Sequence, residues 1–243
     1  MISFCIDKGN TLTKIGVFVD NELVFEVNDT CFDRLSLQQL IDQYKPTACI
    51  LSNVGSYDLD LIQFLQDKFE IFVEFDSSTP IPIVNAYKTP QSLGKDRLAA
   101  AVGATFMKPN ANILVVDAGT AITYDFVDAS GVFHGGNIAP GLLMRLQALN
   151  EFTNNLPLVE LVDSDELLGV DTNSAILLGA LKGIEFEING YFRALSFKYA
   201  ELSIFLTGGN SNYFVSKLKS PIFAQKNLVL TGLNRILQFN VKK

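Results

Sequence analysis

One histidine and three cysteines in 243 residues remove several chemistries before any motif is considered. His134 has no second histidine for a zinc cluster and no serine or cysteine partner for a nucleophilic triad, so it receives no catalytic role. Cys5, Cys31 and Cys49 are odd in number, widely spaced and without a C-x-x-C pair, which argues against a disulfide framework and fits a reducing, cytoplasmic compartment. No apolar run approaches the roughly 20 residues that cross a bilayer. The longest candidate is Leu98–Met107, and the short stretch Ile2–Ile6, with no basic leader, reads as a strand rather than a signal peptide. Basic clusters are missing too. With a net charge of −7 the chain repels phosphate backbones, so neither nucleic acid nor a membrane is an expected partner. There is no Gly/Ser-rich or Pro-rich linker, so any two halves should be packed together around a cleft rather than tethered.

What is present is apolar enough to fold: 48% hydrophobic and 19% charged residues. The main organisational feature is a repeat offset by 110 residues, Phe4-Cys-Ile-Asp-Lys-Gly-Asn-Thr against Leu114-Val-Val-Asp-Ala-Gly-Thr-Ala. Each copy reads as a strand, a glycine turn and a returning strand. Helix-like spacing over 35–44, 57–69, 95–107, 142–152, 174–197 and 213–218, with strands at 48–52, 71–74 and 203–206, predicts an α/β protein of two similar halves, 1–112 and 113–243.

In an acidic chain an anionic substrate needs backbone N–H groups, a few placed cations or a metal. The turn Asp7-Lys8-Gly9-Asn10-Thr11 offers an open backbone at Gly9, donors on Asn10 and Thr11 and a Mg²⁺ ligand in Asp7, and Lys14 after it is a candidate point cation. Turn chemistry alone also explains these residue types. A second such turn, Asp117-Ala118-Gly119-Thr120, strengthens the phosphate reading, since two can grip a polyphosphate from opposite sides; Asp117 suits a hard cation and Thr120 a phosphate. Gly94-Lys95-Asp96-Arg97 opens a small-residue helix with a carboxylate able to take a proton from an attacking alcohol and a planar cation beside it. The alternative is a helix start in which Asp96 complements the dipole. The glycine-rich 134–141 segment reads either as a turn suited to substrate approach or as a crowded loop, and 206–211 as a third strand-to-glycine turn.

Taken in order, Asp-x-Gly-Asn-Thr at 7–11, Gly-x-Asp-Arg at 94–97, Asp-x-Gly-Thr-Ala at 117–121 and Gly-Gly-x-Ile-x-Pro-Gly at 135–141 resemble the type III pantothenate kinases over nearly the whole chain. The resemblance implies a duplicated actin-like, ribonuclease H-like ATPase fold, a homodimer, and phosphorylation of pantothenate by ATP with Mg²⁺ and a monovalent cation, K⁺ or NH₄⁺. It further implies that Asp7, Lys8, Gly9, Asn10, Thr11, Leu12, Thr13 and Lys14 form a first phosphate loop and that Thr120 binds ATP. Asp117 then serves the monovalent cation. Tyr87, Gly94, Lys95, Asp96 and Arg97 take pantothenate, with Asp96 the proton acceptor and Thr172 reaching it from the partner subunit. Lys8 stands where the family usually has an aliphatic residue, and Asp171 where Asn is common. An actin-like kinase for another small hydroxylated acceptor and a non-catalytic nucleotide-sensing regulator are the competing readings.

Overall fold

The computed structural model describes residues 1–9, 12–29, 33–53, 58–218 and 221–241. Asn10 and Thr11 of the first phosphate turn, and Cys31, lie outside the described residues. In the first part of the chain β1 (Ile2–Lys8), β2 (Thr13–Val19) and β3 (Glu22–Asp29) form an antiparallel meander, followed by α1 (Arg34–Tyr44), β4 (Ala48–Asn53), α2 (Leu59–Lys68), β5 (Ile71–Glu74), β6 (Val84–Asn85) and α3 (Lys95–Met107). The second part repeats the plan with β7 (Ile113–Ala118), β8 (Ala121–Val127) and β9 (Val132–Pro140), then α4 (Leu142–Glu151), α5 (Thr172–Ser196), β10 (Ser203–Thr207), α6 (Asn212–Val215), β11 (Ile222–Ala224) and α7 (Leu228–Val241).

Strand order makes the duplication explicit. The first sheet runs β3-β2-β1-β4-β5, and the second contains β9-β8-β7-β10-β11 in the corresponding order. In both, the first strand pairs antiparallel with its hairpin partner and parallel with the strand that returns after a helix. Such a strand has sheet on both sides and helices over its faces, which is why Phe4–Ile6 and Ile113–Val116 are continuous buried runs rather than alternating ones. The two hairpins differ by a single residue: Asp7 pairs with Lys14, whereas Asp117 pairs with Thr123. Each sheet has its own core, Phe4, Ile6, Ile15, Leu51 and Leu65 in the first and Val116, Tyr124, Leu181, Ile184 and Leu206 in the second.

The chain divides into two compact units, Met1–Pro109 with Gly131–Phe133 and Asn227–Lys243, and Asn110–Ser130 with His134–Lys226. In this grouping by contacts α7 lies with the first unit, although in chain order it follows the second hairpin. Packing explains the return. Leu228, Leu230, Leu233, Ile236 and Leu237 of α7 are all fully buried, and this helix lies on β1, β4 and α3. Its approach to α3 is close enough that a Cβ at Gly232 would sit 1.8 Å from the Ala99 carbonyl oxygen, and one at Gly103 2.4 Å from that of Leu228. The Ala-rich run 99–104 in α3 thus has a structural purpose: small residues let two helix backbones come together.

Two expectations change. Residues 132–140 form strand β9 rather than a loop, because Gly136 brings its backbone against β8, where a Cβ would meet the Tyr124 carbonyl oxygen at 1.9 Å. The predicted helix over 213–218 shortens to Asn212–Val215.

Candidate active site

Both Asp-x-Gly turns stand at the C-terminal end of the central strand of their sheet, where parallel α/β sheets place ligands. In the first unit Asp7 is 8% exposed and lies in register with Ser52 of β4, while Lys8 pairs with Asn53. Gly9 makes the turn tight: its N–H donates to the Leu12 carbonyl at 3.1 Å, and a Cβ there would approach that oxygen to 3.0 Å. Thr13 begins the returning strand and Lys14 stands across from Asp7.

Lys8 turns its ammonium to the start of α2. Its Nζ donates to Asp58 Oδ2 at 2.7 Å, and Asp58 is the N-cap of α2, accepting from the Leu61 N–H at 3.0 Å. The Lys8 hydrogen bond and then the Leu61 N–H hold the Asp58 carboxyl below the usual carboxylate range. A depressed carboxyl contributes stability that is complete above its ordinary pKa and is lost as pH falls through the lowered folded value. Both side chains are partly exposed, so the expected effect is at most about 1 kcal/mol. Denaturant titrations of Lys8→Met and wild type should differ near neutral pH and converge towards pH 3; a gap that widens in acid would refute the pairing.

The start of α3 brings together Gly94, Lys95, Asp96 and Arg97, the residues expected to take the acceptor. Gly94 is its N-cap, and a Cβ there would lie 2.6 Å from Asp96 Oδ1, so a larger residue would have to turn that carboxylate aside. That oxygen accepts the Arg97 backbone N–H at 2.9 Å. Lys95 Nζ donates to the carbonyl oxygen of Asn53 at 3.2 Å, tying the helix start to the end of β4 beside Asp7. Arg97 is buried, with its guanidinium carbon 5.8 Å from the centre of the Tyr87 ring. Tyr87 in turn packs on Phe133, with ring centroids 6.3 Å apart. Asp7, Lys95, Asp96, Arg97 and Tyr87 thus sit in one connected neighbourhood, and Asn53 and Asp58 join it without having been singled out from sequence.

In the second unit Asp117 is in register with Thr207 of β10, matching the Asp7–Ser52 relation. The Thr207-Gly208-Gly209-Asn210 turn lies over it. Gly208 has φ +93°, and a Cβ there would be 2.5 Å from Asp117 Oδ1. The N–H of Asn210 donates to the Ala118 carbonyl at 2.9 Å. From the other side, the Gly141 N–H donates to the Thr120 carbonyl at 3.1 Å, and a Cβ at 141 would come within 2.0 Å of it. Glycines on both flanks leave the Asp117 carboxylate and the exposed Thr120 side chain in a backbone-lined cradle, which suits a cation and phosphate oxygens. Among the described residues no group of three or more His, Cys, Asp or Glu forms a metal cluster. Mg²⁺ needs none, because one or two carboxylates together with substrate phosphates normally hold it.

Thr172 is exposed as the first residue of α5. Asp171 before it is the N-cap, accepting from the Ser174 N–H at 2.8 Å in a capping box, which accounts for a carboxylate at this position. His134 pairs through Nε2 with Asp128 Oδ2 at 2.6 Å and stacks on Phe126. Among the described residues no helix is long and apolar enough to cross a membrane.

A family model described as type III pantothenate kinase matches residues 3–194. A type III pantothenate kinase of Bacteroides fragilis is 46% identical over 239 residues, which cover 98% of both chains. Among solved structures, a Baf family protein of Campylobacter jejuni superposes with a TM-score of 0.66 at 21% identity, over 99% of this chain and 100% of that one. The activator of the 2-hydroxyisocaproyl-CoA dehydratase from Clostridium difficile, with bound ADPNP, superposes at 0.57 and 10% identity, covering 100% and 96%. The two superpositions speak to the fold, a duplicated actin-like one, and the sequence matches to ancestry: the chain belongs to the type III pantothenate kinase family.

Proposed function

We propose that this enzyme transfers the γ-phosphoryl group of ATP to the terminal hydroxyl of pantothenate, the opening step of coenzyme A synthesis, with Asp96 as the proton acceptor. The observation that carries the assignment of roles is the start of α3. There a half-buried carboxylate is oriented by its own helix's N–H, flanked by a lysine fastened to the end of β4 and by an arginine laid against Tyr87. Gly94, Lys95, Arg97 and Tyr87 orient the acceptor; Asp96 receives the hydroxyl proton as its oxygen attacks the γ-phosphorus. Most of the acceleration comes from positioning and electrostatics.

On the nucleotide side Asp7, Gly9, Asn10, Thr11, Leu12, Thr13 and Lys14 form one phosphate loop, to which Lys8 contributes its backbone while its ammonium stays with Asp58. Thr120 binds ATP in the second unit. Asp7 would hold Mg²⁺ and Asp117 a K⁺ or NH₄⁺; when bound, these cations neutralise charge on the triphosphate. The enzyme works in the cytoplasm as a homodimer, with Thr172 reaching the partner's pantothenate. Support for the dimer comes from large apolar side chains left in solvent around α5, among them Val170 at 95% and Phe186 at 58% exposure.

A coupled assay with ATP and a panel of acceptors, run with K⁺ or Na⁺ as the only monovalent cation, tests the reading. Turnover should be confined to pantothenate and should fall at least about tenfold when Na⁺ replaces K⁺, the scale of one lost charge-stabilising contact. Preference for a sugar, or indifference to the cation, would reassign the acceptor or the role of Asp117 respectively.

A further inference from the structure

Arg145 belongs to none of the motifs above, yet it ties α4 to the end of β9 and to α5. From α4 its Nε donates back to the Pro140 carbonyl at 2.9 Å, and its Nη2 donates to Glu187 Oε2 on α5 at 2.7 Å. The same Glu187 oxygen accepts the hydroxyl of Tyr124 from β8 at 2.8 Å. Tyr124 is 2% exposed and packs on Tyr191, with ring centroids 4.4 Å apart, so the network roots in the core. Its other end is Pro140, which precedes Gly141, and Gly141 donates its N–H to the Thr120 carbonyl at a contact with no room for a side chain. A continuous strut therefore runs from the core through Arg145 and residues 140–141 to the second phosphate turn.

We infer that Arg145 and Glu187 are positioning residues for ATP: by fixing Pro140–Gly141 against the 119–120 turn they set the orientation in which Thr120 meets the nucleotide. The inference rests on the reading of Thr120 as an ATP contact. Arginine is specific here because its planar fork serves two acceptors lying in different directions, which a lysine ammonium on a flexible stem cannot hold at once. Its side chain is 18% exposed, and that of Glu187 36%, enough shielding for the pair to hold its geometry where a fully exposed pair would not. Burial acts to raise the Glu187 pKa, but the hydrogen bonds from Arg145 and Tyr124 outweigh it and hold the carboxyl low, so both donors face a charged acceptor. A Cβ on Gly183 of α5 would stand 3.3 Å from Arg145 Nη1, so the helix surface beneath the guanidinium is shaped to admit it.

The test is steady-state kinetics, at a temperature where thermal melts show every variant folded, for Arg145→Lys, Glu187→Gln, the double variant and Thr120→Ala. Each single change in the strut should raise KM for ATP about tenfold, the scale of one charge-assisted hydrogen bond, with KM for pantothenate within about twofold. The double variant should be little worse than either single one, because both cut the same path. Thr120→Ala should raise KM for ATP as well. If Thr120→Ala has that effect while Arg145→Lys and Glu187→Gln leave KM for ATP unchanged, or raise both KM values alike as general loosening would, the positioning role is wrong. If Thr120→Ala itself changes nothing, the nucleotide reading of the turn fails first, and the strut's role with it. Should Arg145→Lys not fold, the isosteric Glu187→Gln decides.

Discussion

Asp96→Asn should leave the protein folded and able to bind ATP and pantothenate while kcat falls by about 10²–10⁴-fold, the range a positioned general base supplies. The variant is informative because it changes so little else. Asp96 Oδ1 accepts the Arg97 backbone N–H at 2.9 Å, and an asparagine oxygen can accept the same bond, so the first turn of α3 keeps its shape. Gly94 still leaves room above it. Lys95 stays fastened to Asn53 and Arg97 to Tyr87, so the surroundings proposed to orient the acceptor are intact. What disappears is the capacity to accept a proton. Calorimetric titration with each ligand should give near-native affinities, and the coupled assay should show the loss in kcat rather than in KM. Turnover within about threefold of wild type would remove Asp96 from the chemistry and leave it as a helix-dipole partner.

Gly232→Ala should be among the most damaging single-methyl additions to the fold. The added carbon would lie 1.8 Å from the Ala99 carbonyl oxygen and 2.6 Å from its carbon, and these are backbone atoms that no rotamer change can move aside. Relief requires α7 to separate from α3, which uncovers leucines that are fully buried. Overpacking of this kind costs about 1–3 kcal/mol and more where backbone must shift, so the melting midpoint should drop by several degrees, at about 2–4 °C per kcal/mol for a chain of this size. Because α3 carries Asp96 at its start, activity below the melt should fall too. Gly190→Ala is the control: it lies within α5, where nothing approaches within 4 Å, and should raise the midpoint slightly through helix propensity. Equal midpoints for the two variants would mean that the α3–α7 approach is looser than described.

How much of this was readable in the residues follows from what is encoded locally. The paired Asp-Gly hairpins were legible, because strand, tight turn and strand are short-range signals, and the shared strand order of the two sheets follows from the duplication they announce. Strand β9 was not. Gly135, Gly136 and Pro140 are loop residues by composition, and only the close approach to β8 turns Gly136 into a strand requirement. The allegiance of α7 to the first unit was hidden for a similar reason, since its glycine is explained by a partner more than 120 positions earlier. Edge strand β3, with Leu23, Phe25 and Val27 at a spacing of two and exposed Glu22 and Val24 on the other face, offered a period-two pattern that could have been found. Asp58, a helix-capping residue just before Leu59, Leu61 and Ile62, was legible in the same way, and its pairing with Lys8 engages a lysine that the family resemblance put in the phosphate loop. Asn53 could not have been found, because it acts through its carbonyl oxygen, which every residue possesses.

A crystal structure of the enzyme with pantothenate and a non-hydrolysable ATP analogue bears on these assignments at their centre. A carboxylate oxygen of Asp96 should lie within about 2.6–3.2 Å of the terminal hydroxyl of pantothenate, with that hydroxyl facing the γ-phosphorus. A pantothenate whose hydroxyl meets some other side chain, with Asp96 still turned to its own helix, would contradict that arrangement.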